Sequence, residues 1–168
     1  MTRPDPMNDT DALPAAARRV AEALAARGAA APIKLLSSSA RTAREAADAL
    51  GVGVGQIAKS LVFRAATSGR AVLVIAAGDR SVDEARIGAL LGEPIERADP
   101  DFVRAHSGFA IGGVAPVAHA QPMVVYVDRS LRRFPLLWAA AGTPHCVFPI
   151  EPERLLEASG GTEADVAA

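Results

Sequence analysis

The chain has one cysteine, Cys146, and only two lysines, Lys34 and Lys59, in 168 residues. A lone thiol excludes an internal disulfide and a cysteine-based metal cluster. It suits a reducing compartment, so a cytoplasmic location is expected. The three histidines, His106, His119 and His145, lie far apart, without the clustered spacing of a zinc site. No metal and no cofactor is therefore expected. No apolar run approaches the roughly 18 residues of a membrane span; the longest, over 71–77, is strand-sized. The N-terminal stretch 1–11 mixes Pro, Asp and Asn and lacks the apolar centre of a signal peptide. There is no excess of either charge, the formal net charge being -1. A protein gripping long nucleic acid through many phosphates is usually clearly basic. DNA and membrane partners are thus not expected, and any RNA contact should be local and weak. A Gly-x-Ser-x-Gly elbow is absent, which leaves a serine-hydrolase triad unsupported.

What is present fits one domain with a core large enough to fold unaided. Half of the residues are hydrophobic and 22% are charged. The boundaries expected are a mobile tail over 1–10, the domain over 11–160, and a short tail over 161–168. A first helix is predicted from Asp11, as cap, to about Arg27, with Leu13, Ala17, Val20 and Leu24 on its apolar face. A short strand follows over 33–36. Thr42 and Glu45 form a capping-box pattern that opens a second helix, ended by Gly51. Apolar runs over 57–66 and 71–77, joined by Thr67-Ser68-Gly69-Arg70, read as a β-hairpin. Ser81 and Glu84 form another capping-box pattern before a helix that stops at Gly92. A short helix over 100–106, a Gly/Pro-punctuated loop over 109–120 and a strand over 123–127 come next. The segment 131–142 is ambiguous, because Pro135 interrupts helix and strand alike. A strand over 146–150 and a helix over 152–158 close the domain. Strands and helices are interspersed without a steady alternation, which favours a mainly antiparallel α+β domain over a doubly wound one.

Gly51-Val52-Gly53-Val54-Gly55 resembles a nucleotide-binding loop, but that fingerprint follows a strand and opens a helix. Here a helix precedes and a strand follows, so a flexible connection is the reading. Cys146, inside an apolar strand, reads as a small core residue. Lys59 is more informative. In strict alternation it shares a face with Ile57, Leu61 and Phe63. It either snorkels from the strand's end or points into a cleft. In Ile111-Gly112-Gly113-Val114-Ala115-Pro116, two glycines and a proline shape a loop whose backbone can approach a ligand closely. Such a loop can aim N–H groups at a developing oxyanion; as a bare pattern it is also simply a turn. Arg129, Arg132 and Arg133 form a local basic strip, either a weak phosphate contact or a solvated turn.

Taken in order, Thr42-Ala-Arg-Glu-Ala-Ala, Gln56-Ile-Ala-Lys59-Ser-Leu-Val-Phe, Gly78-Asp79-Arg80, Gly112-Gly-Val-Ala-Pro116 and Val127-Asp128-Arg-Ser-Leu131 resemble the successive blocks of the YbaK / prolyl-tRNA synthetase insertion-domain family. The resemblance spans about 33–156. It implies a compact domain around a mostly antiparallel, barrel-like sheet surrounded by helices. It also implies hydrolysis of wrongly charged aminoacyl-tRNA, most often tRNA for proline carrying a small amino acid such as Ala, Ser, Thr or Cys. The family's strand lysine corresponds to Lys59 and its Gly-x-x-x-Pro loop to Gly112–Pro116, so Lys59, Gly112 and Gly113 are the implied catalytic set. Ser60, Val114, Ala115 and Pro116, with Ala140, Ala141 and Gly142 of the stretch that sizes the pocket, are the implied substrate-binding residues. Many relatives have serine where Ala115 stands, and often a polar residue within 139–141, so no relative's amino-acid preference carries over. The implied partner is the acceptor end of aminoacyl-tRNA, with a synthetase as a second partner. A binding module of the same fold without activity, an enzyme acting on a small free ester or thioester, and a structural adaptor are the alternatives.

Overall fold

The structure is a computed structural model that describes residues 13–168. The expected tail over 1–10 and the Asp11 cap lie outside the described residues. Helix α1 (Ala15–Ala26) buries Ala17, Val20 and Leu24, the face set by their three- and four-residue spacing. Strand β1 (Lys34–Leu35) is shorter than the sequence suggested. In α2 (Ala43–Leu50) the Thr42 hydroxyl accepts from the Glu45 N–H at 3.1 Å, and Gly51 ends the helix in the left-handed conformation. Strands β2 (Ile57–Ala65) and β3 (Ala71–Ala77) form the expected hairpin.

Helix α3 (Glu84–Leu91) is capped by Asp83, which accepts from the Ala85 and Arg86 N–H groups, and not by Ser81. Asp83 lies directly before the first helical residue, where a short carboxylate reaches two of the unpaired amides. Strand β4 (Ile95–Arg97), α4 (Pro100–Ser107) and β5 (Val124–Asp128) follow. The ambiguous segment divides at its proline: a 3-10 helix over Arg129–Arg133 precedes it and β6 (Leu137–Ala140) comes after. Strand β7 (Cys146–Ile150) and α5 (Pro152–Ser159) match expectation. The last residues are not a tail. Thr162–Ala164 form β8, paired in parallel with β5, and Val166 is fully buried with its N–H donating to Asp128 Oδ1 at 3.0 Å. The run is too short for periodicity to signal a strand.

The domain is α+β around one eight-stranded sheet in the order β1-β7-β6-β2-β3-β5-β8, with β4 pairing β2 farther along the edge that also meets β6. Four pairings are antiparallel and three, β2 with β6, β3 with β5, and β5 with β8, are parallel. The sheet is mixed and does not close into a barrel. Every residue of β3 is buried because helices cover both faces there. One face packs Leu73 and Ile75 against Val20 and Leu24 of α1, Val103 of α4 and Leu155 of α5. The other packs Val72 and Val74 against Ile87 of α3, while Ala46 and Ala47 of α2 cover Ile57 and Val147.

One irregularity positions the site. Along the edge away from β3, β2 pairs with β6 only at Ile57 and Ala58, and with β4 only from Phe63 onward. The Gly78 N–H donates to the Ile57 carbonyl and the Ala65 N–H to the Arg70 carbonyl, so odd-numbered residues of β2 bond toward β3. The N–H and C=O of Ser60 therefore point to the other edge, where strand pairing is interrupted.

Candidate active site

A cleft of about 650 Å³ opens at this interruption. Lys59, Leu61 and Phe63 from one face of β2 and Ala58, Ser60 and Val62 from the other all contribute to its wall. Trp138, Ala139 and Ala140 of β6, Cys146 and Val147 of β7, and Val103 of α4 complete the interior. Arg41, Thr42, Ile111, Gly112 and Thr143 stand on one side and Ser81, Val82, Glu84 and Arg97 on another. The interior is mostly small and aliphatic. Polar groups are few, as expected of a pocket that fixes a ligand's orientation by a handful of contacts.

Lys59 is half-buried, with its Nζ donating to the Arg80 carbonyl at 2.6 Å. Burial pushes its pKa down, and the nearby Asp79 carboxylate partly opposes that. Asp79 itself is held below its usual range, first by hydrogen bonds from Arg133. The Ser60 hydroxyl is buried and has no partner among the described residues.

The glycine loop divides in function. Gly112 lines the cleft at φ +91°, a conformation that favours glycine, and its N–H has no acceptor among the described residues. Gly113 is different. Its N–H donates to the Ala110 carbonyl at 3.0 Å, and a Cβ there would stand 2.8 Å from Thr143 Cα. It is a close-packing glycine with its donor already engaged, contrary to the expectation that it faces substrate. Val114 does line the cleft, but Ala115 and Pro116 are buried in the core away from it. The Ala115 carbonyl accepts from His119 Nε2 at 2.8 Å, and burial lowers the pKa of that imidazole. In the stretch 138–142, Trp138, Ala139 and Ala140 reach the cleft. Ala141 is buried behind it, and Gly142, at φ +94°, packs against Ala16 of α1.

The arginine strip is not a free basic surface. Arg132 bonds Glu163 and Glu153, and Arg133 forms a two-pronged pair with Asp79, at 2.7 and 3.0 Å. Only Arg129 is exposed without an ion pair among the described residues. The cations that border the cleft are Arg41 and Arg97, both exposed and without a salt bridge there. Neither was predicted from sequence, since nothing in their neighbourhoods distinguishes them from other surface arginines. No group of three His, Cys, Asp or Glu residues is placed to hold a metal ion among the described residues. No helix described is long and apolar enough to cross a membrane.

Residues 37–158 match the family described as the aminoacyl-tRNA editing domain. YwhH of Bacillus subtilis, an uncharacterized protein, is 34% identical over 122 residues, which cover 73% of this chain and 77% of YwhH. The proline--tRNA ligase of Desulfovibrio desulfuricans is 32% identical over 100 residues, 59% of this chain but 17% of the ligase. Among solved structures, a proposed trans-editing enzyme for prolyl-tRNA synthetase has a TM-score of 0.87 and 43% identity, over 93% of this chain and 99% of that one. Hypothetical protein APE2540 has a TM-score of 0.83 and 31% identity, over 89% and 99%. The chain belongs to the aminoacyl-tRNA editing domain family.

Proposed function

We propose that the protein is a cytoplasmic trans-editing deacylase that hydrolyses the ester of mischarged tRNA, with a small non-cognate amino acid on tRNA for proline as substrate. The observation that carries this reading is the cleft itself, a largely aliphatic pocket lined by Lys59, Ser60 and Gly112 together. An aminoacyl ester is already activated, so positioning water and stabilising the oxyanion suffice. Water adds to the ester carbonyl and loses a proton, the tetrahedral oxyanion collapses, and the ribose oxygen leaves with a proton. The Gly112 N–H is the donor for the oxyanion, and a ribose hydroxyl of the tRNA assists the proton transfer. Lys59 orients the terminal nucleotide. Ala58, Val62, Val103, Val114 and Ala139 leave room for a short side chain, while Arg41 and Arg97 take phosphates of the single-stranded end.

The test is single-turnover deacylation of tRNA for proline charged with Ala, Ser, Thr or Cys, beside an equilibrium binding titration. Hydrolysis of at least one of these is expected. Binding without hydrolysis of any of them would replace the reading by a tRNA-binding module.

A further inference from the structure

We infer that Arg133 and Asp79 are positioning residues for Lys59, acting through the turn that holds its ammonium group. This inference rests on the deacylase reading for its kinetic consequence but not for its geometry. Arg133 belongs to the 3-10 helix after β5, 54 positions from Asp79 in sequence. Its guanidinium donates through Nη1 and Nη2 to both oxygens of Asp79, while its Nε donates to the Ser130 carbonyl at 2.7 Å. The fork is thus fixed at its base and at its tip, and it lies 5.0 Å over the Phe134 ring.

Asp79 is the middle residue of Gly78-Asp79-Arg80, the turn that follows β3. The Arg80 carbonyl of that turn is the acceptor for Lys59 Nζ. Two glycines allow the turn to sit close. A Cβ on Gly78 would stand 2.4 Å from the Val54 carbonyl oxygen, and one on Gly55 would meet the Phe134 ring at 2.9 Å and Asp79 Oδ2 at 3.0 Å. Arg133, Phe134, Gly55 and Asp79 therefore form one packed unit behind the turn. A lysine has four rotatable bonds, and a single acceptor at a fixed place removes most of that freedom. The turn is closed by the Arg80 N–H donating to the Ala77 carbonyl at 3.0 Å, and the Asp79–Arg133 pair anchors it from behind. Since the pair bonds a turn and not substrate, its loss should act on rate only by freeing Lys59.

The charged groups around Lys59 are Asp79 and Arg80 of the turn, Arg133 behind them, and Arg41, Glu84 and Arg97 around the cleft. Removing Arg133 leaves Asp79 unneutralised and lets the ammonium reach solvent. Both changes raise the depressed pKa of Lys59.

Two measurements test this. Arg133→Ala should slow single-turnover deacylation about tenfold, the loss expected of one charge-assisted contact, and should have no further effect in a Lys59→Ala background. In protein carrying 13Cε-lysine only Lys34 and Lys59 give signals, and in Arg133→Ala the Lys59 titration should move up toward the ordinary lysine value of 10.5. Should Arg133→Ala fail to fold, Asp79→Asn is used in the same kinetic cycle. Equal slowing of the parent and of Lys59→Ala, or a Lys59 signal that does not move, would overturn the inference. A parent protein inactive on every charged tRNA would sink the deacylase reading instead, and the two-lysine titration would then decide the positioning role alone.

Discussion

Replacing Lys59 by methionine keeps the apolar stem of the side chain, one atom shorter, and removes its charge. Two opposing changes in stability follow. The bond from Nζ to the Arg80 carbonyl is lost, a contact of the charged type worth about 1.5–3 kcal/mol. Against this, the cost of partly burying an ammonium disappears, and that cost is what depresses the lysine's pKa. A lysine with a folded pKa below its ordinary 10.5 binds fewer protons in the folded chain than in the unfolded one between those values, so stability rises with pH through that window. Below the window the charge is a net burden on the fold, and methionine relieves it. The two changes oppose each other, so the melting temperature should move by no more than about 4 °C, the equivalent of about 1 kcal/mol at this size. Activity has no such compensation. The rate of single-turnover deacylation should fall about ten- to a hundredfold, or about 1.4–2.7 kcal/mol of transition-state stabilisation. In the parent the rate should also decline as pH rises through the depressed pKa, and this limb should vanish in Lys59→Met. Parent-like rates in the variant would remove Lys59 from the mechanism. A melting temperature lowered by more than about 10 °C would make the lysine structural.

Gly112→Ala places a Cβ at φ +91°, a strain of about 1–3 kcal/mol, and should reduce the chemical step while tRNA affinity changes several-fold at most. Gly113→Ala instead drives a Cβ into the backbone of Thr143, so it should lower the melting temperature, at a cost of about 1–3 kcal/mol, whether or not substrate is present. Calorimetry beside single-turnover kinetics separates the two. With two phosphate contacts, the log–log salt slope of tRNA binding should be about -1.4; Arg41→Ala or Arg97→Ala should each remove about 0.7, and Arg132→Ala nothing. Ending the chain after Gly161 removes β8 and buried Val166 and deprives buried Asp128 of the Val166 N–H. The cost should be about 3 kcal/mol, read as a melting temperature lower by about 6–12 °C.

Lys59 could be read from sequence because a charge among large apolar residues at two-residue spacing has few places to go. The second and third helices could be read in outline because their stops are glycines. The division of labour between Gly112 and Gly113 could not. It depends on a turn bond from Gly113 to Ala110 and on the approach of Thr143, thirty residues on, and neither leaves a local mark. The ion pair of Arg133 is hidden for a similar reason. Three nearby arginines look like a cationic strip until the fold brings in Asp79, 54 positions away, and Glu153 and Glu163. Ala115 and Pro116 stand in the loop motif but serve the core, since a tight loop must turn part of itself inward. The parallel pairing of β8 was hidden because three residues carry too little periodicity to register.

The interruption along β2 has a consequence for how the pocket can change. Where strands pair, the peptide groups of a sheet are consumed by each other, and a pocket must recruit side chains for its polar contacts. At Ser60 the peptide group is left over. A recognition group of that kind is the same whichever amino acid stands at the position, so substitutions at Ala139, Ala140 or Val114 can resize the pocket without disturbing it. Selectivity and anchoring are thereby separable: the first can drift by exchange of small side chains, while the second is inherited with the strand order.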